Sequence, residues 1–499
     1  MKKIFVSAGL AALGGVALQS AVAASVDMAA PNNWSVSASL RGFYDDNYNI
    51  ANSGKGSFGL ELTPSVSYHV PLRQTDMGIR YTYGLYYYQD RNDLDLNPFD
   101  QTHQVDLWLD HAFNENWHAK VSDTFAVGQE PELIGPTPTT GNPINYRING
   151  NNISNRGSIA LNTDWTRLFS TALTYDNSFY HYQNKGATTG PLGLTIPATV
   201  GPPPTPGYYG VSTPPLMLSR LGFPGWQVLN GTSGGSGPSY AGLLDRIEQS
   251  VALDLKWHIQ PETTLFVGYQ LSWVNYTGNE PIAVVNYANG PGPILLVPPS
   301  SYFVPNSGTA QSFVYNSSDR DSVTHYAYVG IEHEFTASLN GSLRGGVSDT
   351  DNYADPLNPS TSLAPYADLS LTYTYMPGSY VQLGFTQDIN ATSQVTPDNS
   401  GNITQYAQSS VVYLDVNHRF TPKLSGTMIG RMQHSTYQGG AASSQDETDY
   451  SLGVNLSYEI NRHFSVEAGY NFDNAVTGSG VTDVSYTRNR VYLGLSANY

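Results

Sequence analysis

Carboxylates and histidines are the side chains of this chain that could do chemistry, and few of them are spaced for it. Asp349, Asp351 and Asp355 lie within DTDNYADP, where oxygen ligands could bind Ca²⁺. That stretch lacks the glycine and the terminal glutamate of a calcium-binding loop, which favours an acidic external loop instead. None of the 11 histidines pairs with a serine in a recognisable motif. We therefore expect no catalytic residue, no metal site and no bound cofactor.

Strands with one apolar face are the elements that must position the remaining polar side chains. In WSVSASLRGFY, residues Trp34, Val36 and Leu40 share one face, while serines and Arg41 share the other. FGLELTPSVSYHV repeats this period of two, as do MGIRYTYGLYYY, VDLWLDHAF, ADLSLTYTY and DYSLGVNLSYEI. We count about 18 such segments, each long enough for the roughly 9 to 11 residues with which a tilted strand crosses a bilayer.

The connections between these segments alternate strictly between short and long. This alternation predicts an all-β, transmembrane up-and-down antiparallel β-barrel with short periplasmic turns and long external loops. Eight short and nine long connections join 18 strands, with 16 as the alternative count, and place both termini in the periplasm. The short ones are HVPLRQTD, AFNENW, TDWTRLF, HIQPETT, EFTASL, YMPGS, FTPKL and INRHF, and the long ones lie at about 45–56, 89–101, 129–155, 183–244, 278–320, 349–362, 393–404, 437–447 and 474–484.

The composition excludes other classes of protein. The mean hydropathy is only -0.30, and after Leu18 no apolar run reaches the roughly 18 residues that a spanning helix needs. These two observations exclude a helical membrane protein. A formal charge of -17 disfavours nucleic acid as a partner, because phosphate binding requires concentrated Lys and Arg. A soluble β-sandwich also alternates, but it would not need an apolar face in nearly every strand or connections that sort so cleanly by length.

The N-terminus carries an export signal. Lys2 and Lys3 precede an apolar run from Ile4 to Leu18, and Ala21-Val22-Ala23 follows as a cleavage site of small residues. We expect a secretory signal peptide at 1–23, a short periplasmic segment at 24–33 and a barrel at 34–499. The protein is thus expected in the outer membrane of a Gram-negative-type, diderm bacterium.

The polar face of each strand is expected to point into the barrel, because hydrocarbon accepts only apolar side chains on the outside. Leu107, Leu109, Val251 and Leu253 exemplify the lipid-facing rows. Charged residues on the opposite face are predicted to line the pore: Arg41, Glu61, Arg80, Asp106, Asp110, Lys120, Asp254, Lys256, Glu332, Arg344, Asp368, Asp388, Asp415, Arg419, Arg431 and Arg490.

Three long external loops, at 129–155, 183–244 and 278–320, stand out. The second contains GPPPTPGYYGVSTPPLMLSRLGFPGW, whose prolines stiffen it and whose apolar side chains need burial. Such a loop either folds inward across the barrel mouth or contacts lipopolysaccharide or neighbouring subunits, and the sequence leaves both readings open.

The chain ends in RVYLGLSANY, with apolar residues at every second position before a terminal aromatic. This pattern is similar to the signal that barrel-assembly machinery reads on outer-membrane proteins. We expect the signal at Leu493, Leu495, Ala497 and Tyr499.

The stretch FYDDNYNI, followed by LELTPSVSYHV, resembles the outer-membrane β-barrel porin family associated with exopolysaccharide and exosortase systems. Members of that family resemble this chain in opening with a strand that ends in a Tyr-Asp-Asn loop, followed by a strand with a Thr/Ser-Pro step, here Thr63-Pro64. These specific residues cover about the first 130 positions. The resemblance implies a barrel and carries over no catalytic residues, and the long insertions at 183–244 and 278–320 depart from the family's compact pattern.

These patterns favour a porin for passive diffusion of ions and small hydrophilic solutes, with a modest cation preference. Two alternatives stay open: a polysaccharide-export conduit of the same fold, and a surface or adhesion scaffold with a closed lumen. The expected partners are outer-membrane lipid and lipopolysaccharide, the barrel-assembly machinery, and small hydrophilic solutes or polysaccharide.

Overall fold

The structure is a computed structural model of the chain. The residues that it describes are 33–50, 52–94, 97–128, 152–182, 239–278, 280–288, 303–305, 310–392, 394–398, 401–478 and 485–499. The predicted signal peptide, most of the segment before Trp34, and residues 129–151 and 183–238 of two long loops lie outside this part of the chain.

Eighteen antiparallel strands form one sheet, and a second sheet of three strands lies between the ninth and tenth of them along the chain. The first nine barrel strands are β1 (Trp34–Asp45), β2 (Ser57–Pro71), β3 (Thr75–Tyr88), β4 (Phe99–Ala112), β5 (Trp117–Gly128), β6 (Asn152–Asp164), β7 (Phe169–Tyr182), β8 (Arg246–Gln260) and β9 (Thr263–Tyr276). The small sheet is β10 (Pro281–Ala288), β11 (Phe303–Pro305) and β12 (Ala310–Asn316). The barrel continues with β13 (Ser322–Thr336), β14 (Leu339–Asn352), β15 (Ser360–Met376), β16 (Ser379–Asn390), β17 (Tyr406–Arg419), β18 (Leu424–Gln438), β19 (Asp446–Asn461), β20 (Phe464–Thr477) and β21 (Tyr486–Asn498).

The large sheet closes on itself. β9 pairs with β13, and β21 pairs with β1 in a register that sets Leu495 opposite Leu40. The Val36 backbone N–H donates to the Tyr499 carbonyl at 2.9 Å, and the Tyr499 N–H donates to the Val36 carbonyl at 2.8 Å. Closure leaves no free strand edge, which is what a sheet in hydrocarbon requires. The predicted barrel is confirmed, with 18 strands rather than 16.

All eight short connections form the tight turns that the sequence predicts, and the long ones lie at the opposite end of the barrel. One long connection is shorter than predicted, because β14 and β15 stay paired as far as Asn352 and Ser360. Asp349 and Asp351 are therefore exposed strand residues and not loop residues as the sequence analysis expected, whereas Asp355 does lie in the loop.

Aromatic residues ring both ends of the outer face. At the short-turn end the Trp34 and Tyr68 rings lie 4.5 Å apart. At the long-loop end the Tyr44 and Phe58 rings lie 4.8 Å apart. Ten residues of β1 separate Trp34 from Tyr44, which at about 3.3 Å per residue and a tilt of roughly 40° gives an apolar band about 25 Å tall.

Only one of the three tyrosines in the Tyr86-Tyr87-Tyr88 run joins this outer ring. Tyr87 packs against Phe99 on the outside at 5.3 Å, whereas Tyr88 is fully buried inside, with Tyr86 packed against its cluster. Tyr86 and Tyr88 face the interior because consecutive strand residues point to opposite faces.

Several loops at the long-loop end pack together into a structure that we call the cap: residues 239–245, 280–321, 353–359 and 391–405, in so far as the structure describes them. It contains a short helix, α1 (Tyr240–Leu244), and the sheet of β10 to β12. Leu243, Ile282, Phe313, Tyr315 and Ile403 form a buried apolar cluster there. No helix in the described ranges is long and apolar enough to cross a membrane.

Candidate functional site: the inner face of the barrel

Every residue predicted to line the pore lies on the inner face of its strand. These positions alternate with the exposed leucines, valines and aromatics that form the outer face, such as Leu40, Leu253 and Leu371. Consecutive residues of a strand point to opposite faces, so every charged residue an even number of positions from a predicted one on the same strand also points inward. Whether these residues line an open pore stays a prediction.

Arg41 is the centre of an ion-pair cluster that joins the first and last strands. Its Nη1 lies 3.1 Å from Glu61 Oε1 on β2, and its Nε donates to Glu467 Oε1 on β20 at 2.8 Å. The second contact crosses over β21 at Gly494, where a Cβ would lie 2.7 Å from Arg41 Cγ. Glycine is needed there because the arginine side chain runs directly over the backbone. Arg41 and Glu61 were predicted from the sequence, whereas Glu467 was not predicted as their partner.

Four more pairs join predicted residues on neighbouring strands or on strands separated by one or two others. The pair at the short-turn end, Lys120 and Asp110, has side chains that are 53% and 47% exposed, whereas the other three are mostly buried. The N···O distances are 3.4 Å for Arg80 and Asp106, 3.5 Å for Lys120 and Asp110, 2.9 Å for Lys256 and Glu332, and 3.8 Å for Arg344 and Asp254.

A second arginine cluster lies near the long-loop end. Arg488 and Arg490 both donate to Asp45 Oδ2, through Nε at 2.8 Å and 3.1 Å respectively. Asp45 and Arg488 are fully buried, and Arg490 also stacks over the Phe43 ring at 4.5 Å. Only Arg490 was predicted. The alternation of faces along each strand could have predicted the other two, because Arg488 shares a face with Arg490 and Asp45 shares one with Arg41.

Aromatic side chains form part of the inner wall on β9, β13 and β15. The Tyr328 hydroxyl donates to Asp254 Oδ1 at 2.7 Å, and its ring packs over Gly268. Phe266 is buried beside it, and the Tyr366 ring packs against Tyr328 at 5.5 Å, tilted by 47°. This inner group was not predicted from the sequence.

The inner face of β15 to β20 is predominantly acidic. Asp388 accepts a hydrogen bond from the Tyr326 hydroxyl at 2.9 Å, and Asp415 accepts one from the Tyr380 hydroxyl at 3.1 Å. Asp368 lies opposite Arg344 in the register of β14 and β15. The inward charged residues of these six strands are Asp368, Asp388, Asp415, Glu447, Asp449, Glu459, Glu467 and Asp473, against Arg419 and Arg431.

The two basic residues of this sector are engaged with neutral groups. Arg431 Nη2 donates to Gln433 Oε1 at 2.8 Å, and Arg419 Nη2 donates to the Pro422 carbonyl at 3.0 Å in a short turn. Neither forms an ion pair with a carboxylate within the described residues. Apart from Glu467, which pairs with Arg41, the carboxylates of this sector are therefore little neutralised by the two arginines of the same sector.

Arg156 and Arg246 add positive charge on the opposite part of the wall, and neither was predicted. Arg246 is buried and donates to Glu248 Oε1 at 2.6 Å, with its guanidinium 4.3 Å from the Tyr180 ring. Arg156 is exposed on the inner face, 5.7 Å from the same ring. The alternation of inward and outward residues along β6 and β8 could have predicted both arginines.

Charged residues also hold the cap together. Arg320 is fully buried and donates to the Leu243 carbonyl at 3.2 Å and to the Thr392 carbonyl at 2.5 Å, linking three loops. Asp355 accepts from the Tyr315 hydroxyl at 3.1 Å and from Gln405 Nε2 at 2.7 Å. Asp355 thus anchors loops to one another, and among the described residues no group of three or more His, Asp or Glu side chains is arranged to hold a metal ion.

Two further carboxylates of the cap have shifted pKa values. Burial raises the pKa of Asp319 to about 6, although the Asn316 N–H donates to it at 2.7 Å and favours the charged form. Burial also raises the pKa of Asp321 to about 6, against the opposing hydrogen bond from the Tyr276 N–H at 2.6 Å. Asp355 adds like-charge repulsion to Asp319, which in turn repels Asp321.

The predicted assembly signal lies on the outer face of β21. Leu493 and Tyr499 are 64% and 89% exposed, and Leu495 and Ala497 complete the row. The row forms part of the lipid-facing surface. Its role in assembly stays a prediction.

Among known protein families, one matches the C-terminal part of the chain. Residues 300–499 match the family described as Putative beta-barrel porin 2. The resemblance to β-barrel porins is confirmed, although the match lies in the C-terminal part and not at the opening residues from which it was inferred. The match is to porins, which are channels rather than enzymes. The association with exopolysaccharide systems stays a prediction.

Several solved structures are similar to this chain at low sequence identity. OccK9 (OpdG) of Pseudomonas aeruginosa is 12% identical over 94% of this chain and 99% of its own, with a TM-score of 0.40. The outer membrane protein OpdK of the same organism is 10% identical over 93% and 99%, with a TM-score of 0.38. OccAB2 of Acinetobacter baumannii is 8% identical over 94% and 98%, with a TM-score of 0.38. No curated protein matches the sequence.

Proposed function

We propose that this protein is an outer-membrane porin of a diderm bacterium, through which ions and small hydrophilic solutes diffuse passively with a modest preference for cations. This proposal is supported by the closed 18-stranded barrel, the polar and charged inner face, and the porin family match. A wall of charged groups replaces part of the hydration that a small solute loses on entry.

The acidic sector of β15 to β20 is the observation that carries the cation preference. Where carboxylates and arginines pair, as at Arg41, their fields largely cancel a few ångströms away. Asp368, Asp388 and Asp415 lie in a sector with a surplus of carboxylates, and their field extends into the lumen. Low-dielectric walls concentrate such a field, which raises the local concentration of cations over anions.

Planar-bilayer recording of the purified barrel tests this proposal. Under a salt gradient, the reversal potential gives the cation/anion permeability ratio, which we expect to exceed one. We expect the double variant Asp368→Asn/Asp388→Asn to lower that ratio toward one, because it removes two lumenal charges without changing side-chain size. Asp349→Asn is the matched control, since Asp349 lies on the outer face and its loss should leave the ratio unchanged. A folded barrel that conducts at no voltage would rule out the porin and favour a scaffold with a closed lumen.

Passage of a polysaccharide is the second candidate, and the inner aromatic group favours it. The Tyr366 ring lies 5.3 Å from that of Tyr326 and 5.5 Å from that of Tyr328. Tyr326 and Tyr328 are buried, whereas Tyr366 is half-buried, so the Tyr366 ring is the one of the three that a sugar could contact. Deletion of the gene distinguishes the two candidates. Loss of extracellular polymer with small-solute uptake unchanged supports export, whereas reduced uptake with polymer unchanged supports the porin.

A further inference from the structure

Six of the 11 histidines share one arrangement on the outer face of the barrel. Each alternates along its strand with exposed apolar residues, such as Leu107 on β4 and Val329 on β13. In all six, Nδ1 lies 2.6 to 3.0 Å from a threonine or tyrosine hydroxyl oxygen of another strand. We call these six the belt histidines: His103, His111, His325, His333, His418 and His434.

Three belt histidines begin the H-x-F motifs of this chain, at His111, His333 and His418. Each motif lies where a strand enters a short turn, and its histidine and phenylalanine rings meet edge to face with centroids 4.5, 4.6 and 4.5 Å apart. The equivalent outward position is occupied on β8 and β19 by Trp257 and Tyr458, which are residues typical of the membrane interface. The repeated geometry indicates that these histidines share one role at this level of the membrane.

The belt histidines lie at both edges of the apolar band. On β4, His103 and His111 enclose Val105, Leu107 and Leu109, and the outward residues between the two histidines of β13 are apolar as well. Eight residues separate the two histidines of each strand, which at about 3.3 Å per residue and a tilt of roughly 40° gives about 20 Å along the membrane normal. The imidazoles therefore lie slightly closer to the membrane centre than the aromatic residues at the two ends of the band.

The position of the ring hydrogen follows from a count of donors and acceptors. A neutral imidazole carries hydrogen on one nitrogen only, and the hydrogen bond that Nδ1 makes decides which. The Thr263 hydroxyl lies 2.8 Å from His333 Nδ1, and neither side chain has another hydrogen-bond partner among the described residues. If Nδ1–H donated, both the hydroxyl hydrogen and the Nε2 lone pair would lack a partner, whereas a donating hydroxyl leaves only Nε2–H. The second arrangement leaves fewer polar groups unpaired, so Nε2 carries the hydrogen, and the same count holds at the other five sites.

Acyl carbonyl oxygens are the acceptors that a membrane offers to these Nε2–H groups. Hydrocarbon contains no acceptor, so an Nε2–H group that met only acyl chains would be desolvated without compensation. Lipid phosphates belong to the headgroups, where the aromatic residues at the ends of the band lie. The carbonyl groups connect the acyl chains to the headgroups and therefore lie between these two levels, as the belt histidines do.

We propose that the belt histidines donate hydrogen bonds from Nε2 to acyl carbonyl oxygens of the surrounding lipids, at three sites on each edge of the apolar band. Lipid is the occupant because it covers the outer face of any barrel that spans a bilayer. Bonds at both edges fix the depth of the barrel relative to the two leaflets. The proposal rests on the membrane location in the proposed function but not on conduction, so a closed barrel would leave it unaffected.

Solid-state NMR of the barrel with ¹⁵N-labelled histidine tests the contact, in bilayers of phospholipid with ¹³C-labelled ester carbonyls. Dipolar recoupling to ¹³C attenuates the Nε2 signal of each histidine that contacts a carbonyl. We expect the difference spectrum between the unmodified protein and His333→Phe to contain one attenuated signal. His258→Phe is the matched control, because His258 points into the barrel and its ring nitrogens have hydroxyl partners in Ser170 and Thr264. The His258 signal should show no attenuation.

The source of the acceptor is tested by recoupling to ³¹P in the same bilayers. We expect no attenuation of the His333 Nε2 signal by phosphorus. Attenuation by phosphorus without attenuation by the carbonyls would assign the contact to the phosphate and overturn the proposal. A folded barrel in which neither nucleus attenuates the signal, or in which the His333 Nε2 is bare, would also overturn it.

A second measurement needs no variant. Ether-linked phospholipids of the same headgroup and chain length lack the acyl carbonyl. In such bilayers the Nε2 signals of the belt histidines should shift, because the hydrogen bond is lost, while the His258 signals stay in place. Identical Nε2 spectra in ester-linked and ether-linked bilayers would contradict the proposal.

Discussion

At the scale of single residues, the seam between the first and last strands depends on buried carboxylates that share one arginine. Glu61 and Glu467 are both buried, and Arg41 lies between them with its guanidinium about a quarter exposed. Removing one partner of a buried pair leaves a charge without compensation, which costs more than the pair contributes. The main contribution of Arg41 to stability is thus to compensate the charges of the two buried carboxylates.

We therefore expect Arg41→Ala to lower the free energy of unfolding of the barrel by about 2 kcal/mol, less than for a fully buried pair because Arg41 is partly solvated. Urea titration of the barrel in vesicles, followed by tryptophan fluorescence, measures this change. Lys120→Ala provides the comparison, since the Lys120–Asp110 pair is about half exposed and should contribute less than about 0.5 kcal/mol. Equal losses from the two variants would contradict the importance of burial.

At the scale of elements, β21 is the strand on which closure depends. It pairs with β20 on one side and with β1 on the other, and its last residue exchanges two backbone hydrogen bonds with Val36. Without that end, the start of β1 keeps unpaired backbone groups at the membrane surface. The same segment carries the outward row that ends in Tyr499.

Deletion of Ala497 to Tyr499 should leave export across the inner membrane intact but prevent assembly in the outer membrane. Heat-modifiable migration of the folded barrel, measured on separated membranes, is expected to disappear. Tyr499→Phe is the control, because it keeps both the aromatic ring and the backbone pairing, and it should assemble normally. A normal amount of folded barrel after the deletion would count against the assembly role of this segment.

At the scale of the whole molecule, the cap joins loops from distant parts of the chain at the long-loop end of the barrel. Its cohesion depends on a small apolar cluster, on Arg320 and on carboxylates that lie in poorly solvated positions. Asp319 and Asp321 keep their protons to about pH 6, whereas an unfolded aspartate releases its proton near pH 4. The folded cap therefore binds more protons than the unfolded cap between these values, and its stability falls as pH rises from about 4 to 6.

Hydrogen exchange of the cap should show this dependence. After correction for intrinsic rates, the Asn316 and Tyr276 amides, which donate to these carboxylates, should exchange about tenfold more slowly at pH 5 than at pH 7.5. The double variant Asp319→Asn/Asp321→Asn has no such protons to lose, so its protection should be independent of pH. Protection that increases with pH in the unmodified protein would contradict the sign of the effect.

The sequence by itself determined the barrel, because the features that specify it are local. Each strand repeats its apolar face with a period of two, and the length of each connection is visible in the sequence, so strand number and the facing of residues such as Leu253 and Asp254 follow directly. The inward position of Arg41 and Glu61 was predictable for the same reason.

Only the tertiary structure decided which charges meet, because pairing depends on closure and register. Arg41 contacts Glu467, which is 426 residues away, because β21 and β1 are neighbours and Gly494 leaves room for the arginine side chain. The cap depends on side chains from separate loops, whose sequences have no periodicity to indicate their contacts. Local periodicity specifies which way a side chain points, and only the three-dimensional arrangement of the strands specifies what it meets.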